Sequence, residues 1–246
     1  MLSKSQISFV NALHHKKYRI EHNLFIVEGI KSVTEFLQSD YRVDTVFCTP
    51  QVLPKINKLS QIIKQIEISE TDLSKISSLN APQGILALVN IPEPFQIKAE
   101  DFTGFTLVLD GIQDPGNLGT IIRTCDWFGF KNLICSENSV EVYNQKVVQA
   151  TMGSLSRVSV FYTSLDLFLK ESKKPVFGAL LEGESVYNTT FNGEGFILLG
   201  NEGRGISDNI RDKINYPVTI PGSGSAESLN VAVCAALFCY EIKRNC

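Results

Sequence analysis

The 246-residue sequence predicts an α/β protein in two parts, a small α/β unit followed by a larger parallel sheet covered by helices on both faces. Three observations predict it. Short apolar runs of strand length alternate with helix-length segments along most of the chain. A Pro-rich break, Asn90-Ile91-Pro92-Glu93-Pro94-Phe95, interrupts that alternation once. Beyond the break, several apolar runs end in glycine-rich turns, and open parallel sheets bind ligands at that position.

In the first part, residues 5–17 read as one helix and Leu24-Phe25-Ile26-Val27 as a buried strand ending at Glu28-Gly29. Apolar residues at 30, 33, 36 and 37 give the next segment a helical period. A strand is expected over 43–48. Thr49-Pro50 then opens a helix, since Pro fits the first turn. Strands over 65–68 and 84–89 flank a capped helix that starts near Thr71. The expected boundaries are a first domain of residues 1–92, a linker of 93–104 and a second domain of 105–246.

The second part opens with an apolar strand over 105–109, followed by a helix from about Asn117 to Phe128. Further strands are expected at 133–135, 158–162, 176–181, 196–199 and 217–220. A final helix, apolar nearly all round, runs from Leu229 to about Lys243. Such a helix needs partners on several sides, which suggests an intersubunit face as well as a core.

Composition narrows the function. Hydrophobic residues make up 43% and charged residues 20%, which excludes a wholly disordered chain. The longest apolar run, residues 231–240, is too short to span a bilayer, and the first residues lack the apolar core of a signal peptide. A cytoplasmic protein without membrane contact is expected. Cysteines at 48, 125, 135, 234, 239 and 246 form no CxxC pair, and the histidines His14, His15 and His22 stand away from them. No metal is expected, and the thiols should be reduced and mostly buried. The net charge of −3 does not suggest a nucleic-acid binder, yet residues 1–20 hold Lys4, Lys16, Lys17 and Arg19 and no acid. That stretch is either a solvated helix face or a set of phosphate contacts, and charge alone leaves the choice open.

Three loops carry the chemistry. The first runs from Asp110-Gly111 through Asp114-Pro115-Gly116-Asn117-Leu118-Gly119 into a helix, with Arg123 further along it. It lacks the lysine of a phosphate-binding P-loop and the GxGxxG dinucleotide fingerprint, so a nucleotide-dependent oxidoreductase has no support. Alone, it reads equally well as a tight turn. The second loop, Gly200-Asn201-Glu202-Gly203-Arg204-Gly205, follows an apolar strand; Glu202 and Arg204 could equally be a solvated ion pair. The third runs from Ile220-Pro221-Gly222 to Ser228-Leu229-Asn230, with Ser228 placed as the cap of the last helix and Asn230 in its first turn.

In this order and spacing, the three loops resemble the signature motifs of the SpoU (TrmH-like) branch of the SPOUT RNA methyltransferases, over essentially all of residues 105–246. The segment Thr151-Met152-Gly153-Ser154 with Arg157 is similar to a further family segment. Tyr18-Arg19 and Phe25-Ile26-Val27-Glu28-Gly29 resemble the family's ribosomal-protein-like RNA-binding extension. Gly222 and Ser223 depart from the pattern, where many members have methionine after the proline; Ala232 stands where many have serine. Neither change removes a functional side chain.

The resemblance implies a trefoil-knot (SPOUT) α/β domain, a homodimer, and transfer of methyl from S-adenosylmethionine to a ribose 2′-hydroxyl of RNA. It implies cofactor binding by Gly200, Ile220 and Leu229, bordered by Leu181, Leu199, Asn201 and Gly203. Arg123 is implied to help deprotonate the hydroxyl with RNA phosphate. Asn117, Glu202, Ser228 and Asn230 are implied to order the reacting groups. No histidine lies in that domain, so the commonest general base is missing, and arginine is a poor base on pKa grounds. Expected RNA contacts are Lys4, Lys16, Lys17, Arg19 and Arg157. The N-terminal extension favours ribosomal RNA over tRNA. A nonenzymatic RNA-binding or ribosome-assembly protein on the same scaffold is the main rival, and the joint presence of the five catalytic candidates argues against it.

Overall fold

The computed structural model describes residues 1–56 and 63–244. Along the first part run α1 (Lys4–Ala12), α2 (Lys16–His22), β1 (Leu24–Glu28), α3 (Ile30–Leu37), β2 (Val43–Cys48), α4 (Leu53–Ile56), β3 (Lys64–Glu67), α5 (Glu70–Ile76) and β4 (Ile85–Asn90). Next come β5 (Phe105–Leu109), α6 (Pro115–Phe128), β6 (Asn132–Ser136), α7 (Gln145–Ala150), β7 (Ser159–Thr163) and α8 (Leu165–Glu171). The chain then forms β8 (Val176–Ser185), β9 (Gly195–Leu199), α9 (Asp208–Arg211), β10 (Tyr216–Thr219) and α10 (Val231–Arg244).

These elements build two compact units, one of residues 1–94 with 141–156, the other of 95–140 with 157–246. The first holds a mixed sheet in the order β1-β4-β2-β3, antiparallel except for the β2/β3 pair. Leu24, Ile26, Phe47, Leu86 and Leu88 of this sheet pack with Val10, Leu13, Leu73 and Ile76 of the helical layer. The expected single helix over 5–17 is in fact two. Leu13 ends α1, and α2 restarts at Lys16 and stops at Asn23, whose left-handed φ of 53° is a conformation that asparagine tolerates.

Segment 141–156 lies in sequence between β6 and β7 but belongs to this first unit. Tyr143 packs its ring on Phe25 at 4.7 Å, and the Gln145 amide donates to the buried Glu28 carboxylate. Glu28 also accepts hydrogens from the Ser77 and Ser78 side chains, so it is a staple rather than a reactive acid. Burial and the neighbouring Tyr41 push the Tyr143 hydroxyl pKa upward.

The second unit holds six parallel strands in the order β10-β8-β9-β5-β6-β7. Parallel strands need both faces covered, which is why β9 is buried at every position. The second half of the expected linker is part of this core. Ala99 and Phe102 are buried against Phe168, Phe196 and Leu198, and a 3₁₀ turn over 99–101 turns them inward. Cys48, Cys125, Cys135 and Cys239 are buried free thiols and Cys234 is half-buried; Cys246 lies outside the described residues. Burial pushes the Cys239 thiol up to about 12 and raises those of Cys125 and Cys135, so they pack as apolar groups. Among the described residues no helix is long and apolar enough to cross a membrane, and no cluster of His, Cys, Asp or Glu could hold a metal.

Candidate active site

The site lies beyond the carboxyl ends of β5, β9 and β10, and it begins with the backbone of the β5–α6 loop. Asp110 is buried; its N–H donates to Leu199 O at 2.9 Å and its Oδ2 accepts the Ser207 N–H at 2.7 Å. Gly111 turns the chain with a φ of +68°, where a side chain would be strained, and its N–H is held by Ser136 Oγ at 2.8 Å. Asp114 then caps α6 by accepting the Asn117 N–H at 2.8 Å, with Pro115 in the first turn. The helix therefore starts two residues before the expected Asn117. An Asp-Pro pair is a cap signal that the sequence carried.

The second loop folds back on itself. Asn201 and Gly205 exchange both backbone hydrogen bonds, at 3.0 and 2.8 Å. A Cβ at Gly200 would meet the backbone carbon of Gly205 at 2.3 Å, so only glycine allows this closure. The Asn201 side chain is engaged by three hydrogen bonds within the protein. Its Oδ1 accepts the N–H groups of Gly203 and Arg204 at 3.0 and 3.1 Å, and its Nδ2 donates to Gly111 O at 2.8 Å. Asn201 thus ties the second loop to the first.

The third loop, residues 221–230, is exposed throughout and has no regular structure. Here the cap assignment changes. Asn230 immediately precedes α10, its Oδ1 accepts the Ala232 N–H at 2.9 Å, and its carbonyl accepts the Cys234 N–H at 3.0 Å. Asn230, not Ser228, is the capping side chain, because the first helical residue is Val231 rather than Leu229.

One side chain joins the three loops. The Asn117 amide nitrogen donates to Glu202 Oε1, and the Asn230 amide nitrogen donates to Asn117 Oδ1 at 2.9 Å. Three of the five catalytic candidates are therefore in one hydrogen-bonded chain. Ser228 is exposed, and among the described residues no hydrogen bond joins it or Arg123 to that chain. Arg123 stands on an exposed stripe of α6 with Gly116, Thr120 and Trp127, spaced at helical intervals, and forms no ion pair among the described residues.

The other expected residues fall as follows. Leu199 is buried in β9, while Gly200 and Ile220 are half-buried just past their strands. Gly203 is exposed. Leu181 is 76% exposed and Leu229 46% exposed. Leu181 sits where β8 leaves register: β10 pairs with Gly178 and next with Glu184, so residues 179–183 are unpaired there, and Thr219 Oγ1 donates to Leu181 O at 3.0 Å. Leu181 of β8 and Leu229 of the third loop are thus exposed apolar side chains, while the loops past β9 and β10 offer backbone groups, a combination suited to an adenosine ring with few polar contacts. That donor set fits S-adenosylmethionine, which needs backbone and apolar contacts and no metal.

Two expected RNA contacts are engaged elsewhere. Arg19 is only 3% exposed; it pairs with Glu141 through both acid oxygens and donates to Leu13 O at 3.0 Å and His14 O at 2.9 Å. It is a structural clamp and not the RNA contact that the basic stretch suggests. Arg157 is held by Asp126, with Nε–Oδ1 at 3.0 Å and Nη2–Oδ2 at 2.8 Å, a fork that fixes it within the second unit. Lys4, Lys16 and Lys17 are exposed. Sequence reasoning gave no separate role to Asp110 and Asp114 of the first loop and missed Ser136 and Ser139, the latter accepting the Ile112 N–H at 3.2 Å. Only Asp114 had a signal; the two serines act through a loop from another strand, at sequence separations of 25 and 27.

Glycine loops beyond a parallel sheet, joined by a hydrogen-bonded polar triad, suit an α/β group-transfer enzyme. The chain belongs to the SpoU rRNA methylase family, whose family model matches residues 104–240, and residues 4–87 match the MRM3-like substrate-binding domain. It is 32% identical to the 23S rRNA (guanosine(2553)-2′-O)-methyltransferase RlmP of Bacillus subtilis, over 94% of this chain and 93% of that one. A TrmH-family protein from Porphyromonas gingivalis has a solved structure similar at a TM-score of 0.91, with 38% identity and full coverage of both chains. The SpoU methyltransferase AviRb of Streptomyces viridochromogenes, solved with AdoMet, is similar at 0.87, with 25% identity and 98% of each chain covered.

Proposed function

We propose that this protein transfers the methyl group of S-adenosylmethionine to a ribose 2′-hydroxyl in ribosomal RNA. The observation that carries the proposal is the Glu202–Asn117–Asn230 chain, which draws a side chain from each of the three glycine loops to one place. The sulfonium methyl is already electrophilic, so the cofactor supplies the group to be transferred and the protein supplies position and proton removal. Asn117 fixes the Glu202 carboxylate, Asn230 fixes Asn117, and Asn201 holds the second loop against the first. Arg123 is free to take an RNA phosphate and to bring the hydroxyl into a field that favours its deprotonation. Ser228, exposed on the third loop, completes the donors around the ribose.

The likeness to RlmP over nearly the whole chain supports ribosomal RNA over tRNA and supports a cytoplasmic site of action. The reading carries with it the family's trefoil knot, a homodimer, and a division of labour in which residues 1–92 set RNA affinity and 105–246 hold the cofactor. Tritiated S-adenosylmethionine incubated with protein-free 23S rRNA and with tRNA tests the substrate. Mapping 2′-O-methyl groups in rRNA with and without the gene then locates the nucleotide. Label entering tRNA alone would reverse the substrate assignment, and label in neither would favour the nonenzymatic rival.

A further inference from the structure

The first unit carries a row of rings at the edge of its core, outside the methyl-transfer site. Helix α2 presents His15, Tyr18 and His22 at intervals of three and four, so they share one side of the helix. Tyr18 and His22 lie parallel, with planes 9° apart and centroids at 6.5 Å. His15 approaches Tyr18 edge-on at 6.5 Å, and Phe9 of α1 approaches His22 edge-on at 5.0 Å. Phe9 in turn packs on the apolar core, which anchors the array. The rings are nevertheless open to solvent: Tyr18 is 38% exposed, and His15 and His22 are both exposed. Single exposed apolar groups are ordinary, but three rings in succession along a short helix, with Phe9 of α1 against the last, are not scatter.

Charge accompanies the rings. Lys17 Nζ stands 5.9 Å from the Tyr18 ring centroid, and Lys16 is exposed beside it. The single acid of the helix is the exposed Glu21. Arg19, the residue of this stretch with the best phosphate geometry, is turned inward and clamps the helix to Glu141. The stretch that is basic in sequence is therefore, on its outward side, a preformed aromatic surface edged by lysine. Duplex RNA offers phosphates but hides its base faces, whereas unpaired nucleotides offer both, and any base can stack on an aromatic ring.

We propose that the Tyr18–His22 surface is a stacking platform for unpaired nucleotides of the RNA substrate, with Lys16 and Lys17 taking the adjoining phosphates. This rests on the reading of the protein as an RNA methyltransferase and names the part of the substrate that the first unit grips. The platform selects a loop, bulge or single-stranded flank rather than a helix.

Fluorescence anisotropy with the full chain, using fluorescein-labelled oligoadenylate and the same strand annealed to oligouridylate, tests it. The single strand should bind more tightly than the duplex. Tyr18→Leu and His22→Ala should each weaken single-strand binding between about fivefold and a hundredfold, while Tyr18→Phe retains it. Tyr18→Leu keeps apolar bulk, so a loss there reports the ring face rather than a folding defect. Replacing Lys16 or Lys17 by alanine should lower the salt dependence of binding, whereas the ring variants should leave it unchanged. Single-strand affinity unaltered in Tyr18→Leu, or equal losses on single strand and duplex, overturns the platform. Titration with S-adenosylmethionine on the same samples separates that failure from failure of the methyltransferase reading, which would show as no cofactor binding in the unsubstituted protein.

Discussion

Asn117 donates one amide hydrogen to Glu202 and accepts one from Asn230, so the positions of three loops depend on its two polar atoms. Aspartate in its place could not donate and would set a carboxylate against Glu202. Asn117→Asp should therefore cut methyl transfer by about a hundredfold, the order seen when a positioned polar group is removed, with little change in thermal stability because the cluster is exposed. A radiometric assay beside a melting curve checks this, and near-normal turnover would remove Asn117 from the machinery. Arg123→Ala should abolish transfer while leaving cofactor affinity within a few-fold, since it stands exposed on α6 and among the described residues bonds to none of the glycine loops. Calorimetry with S-adenosylmethionine decides that point; a large loss of cofactor binding would make Arg123 part of the cofactor site. At this scale the sequence singled out three residues that the structure brings together, and said less about their partners. Asn117, Glu202 and Asn230 were legible as motif positions, but the Asn201 link to Gly111 spans 90 residues and has no local signal. Arg19 misled for a related reason: an arginine in a basic stretch looks solvated until the acid 122 residues away is placed beside it.

Helices and strands were more legible than their ends. Apolar runs, broken only by Thr106, marked β5 and β9, because burial on both faces of a parallel sheet demands them. The break between α1 and α2 was invisible, since Leu13-His14-His15 contains no glycine or proline and is fixed by Arg19 donating to the Leu13 and His14 carbonyls. Removing that clamp should be costly. Arg19→Ala leaves Glu141 largely buried without its partner, and an uncompensated charge of this kind costs about 3 kcal/mol. Arg19→Lys should not restore stability, because a single ammonium cannot bond both acid oxygens and two carbonyls together. Chemical denaturation distinguishes the cases, and a lysine variant as stable as the parent would refute the clamp. A second element-scale anchor depends on pH. Asp72 accepts from Lys75 Nζ at 2.9 Å and from the Leu2 N–H at 3.0 Å, and these bonds hold its pKa below the ordinary 3.8. A lowered carboxylate pKa contributes stability at neutral pH and loses it as pH falls through the folded value. Asp72→Asn should accordingly lower the melting temperature at pH 7 and make progressively less difference below about pH 4. A penalty that stayed constant with pH would assign the effect to packing.

At the scale of the whole molecule, the surface that remains to be covered is the outer side of α6 and α10. The two helices pack together, and α10 buries Val231, Ala235, Phe238, Cys239 and Ile242 inward. It leaves Val233, Leu237 and Tyr240 at 47, 37 and 52% exposure, a stripe repeating every three to four residues, while α6 leaves Trp127 84% exposed. The sequence showed an all-round apolar helix and could not say which side faced the core; the structure leaves one side unpartnered. A second copy is the proposed cover, because a stripe on a surface helix closes against its own image by a two-fold axis. Arg123 precedes Trp127 by one helical turn on the same exposed side, so closure there would bring it near the second copy and exclude water around it. Leu237→Glu puts a charge in the middle of the stripe without touching the inward side. It should convert the dimer to a monomer in light scattering at micromolar concentration, with the melting transition still cooperative. If Arg123 works only at the closed face, methyl transfer should fall with the dimer fraction while the monomer still binds S-adenosylmethionine weakly. A monomeric parent protein would end the proposal at once, and a monomeric variant with full activity would confine the stripe to assembly.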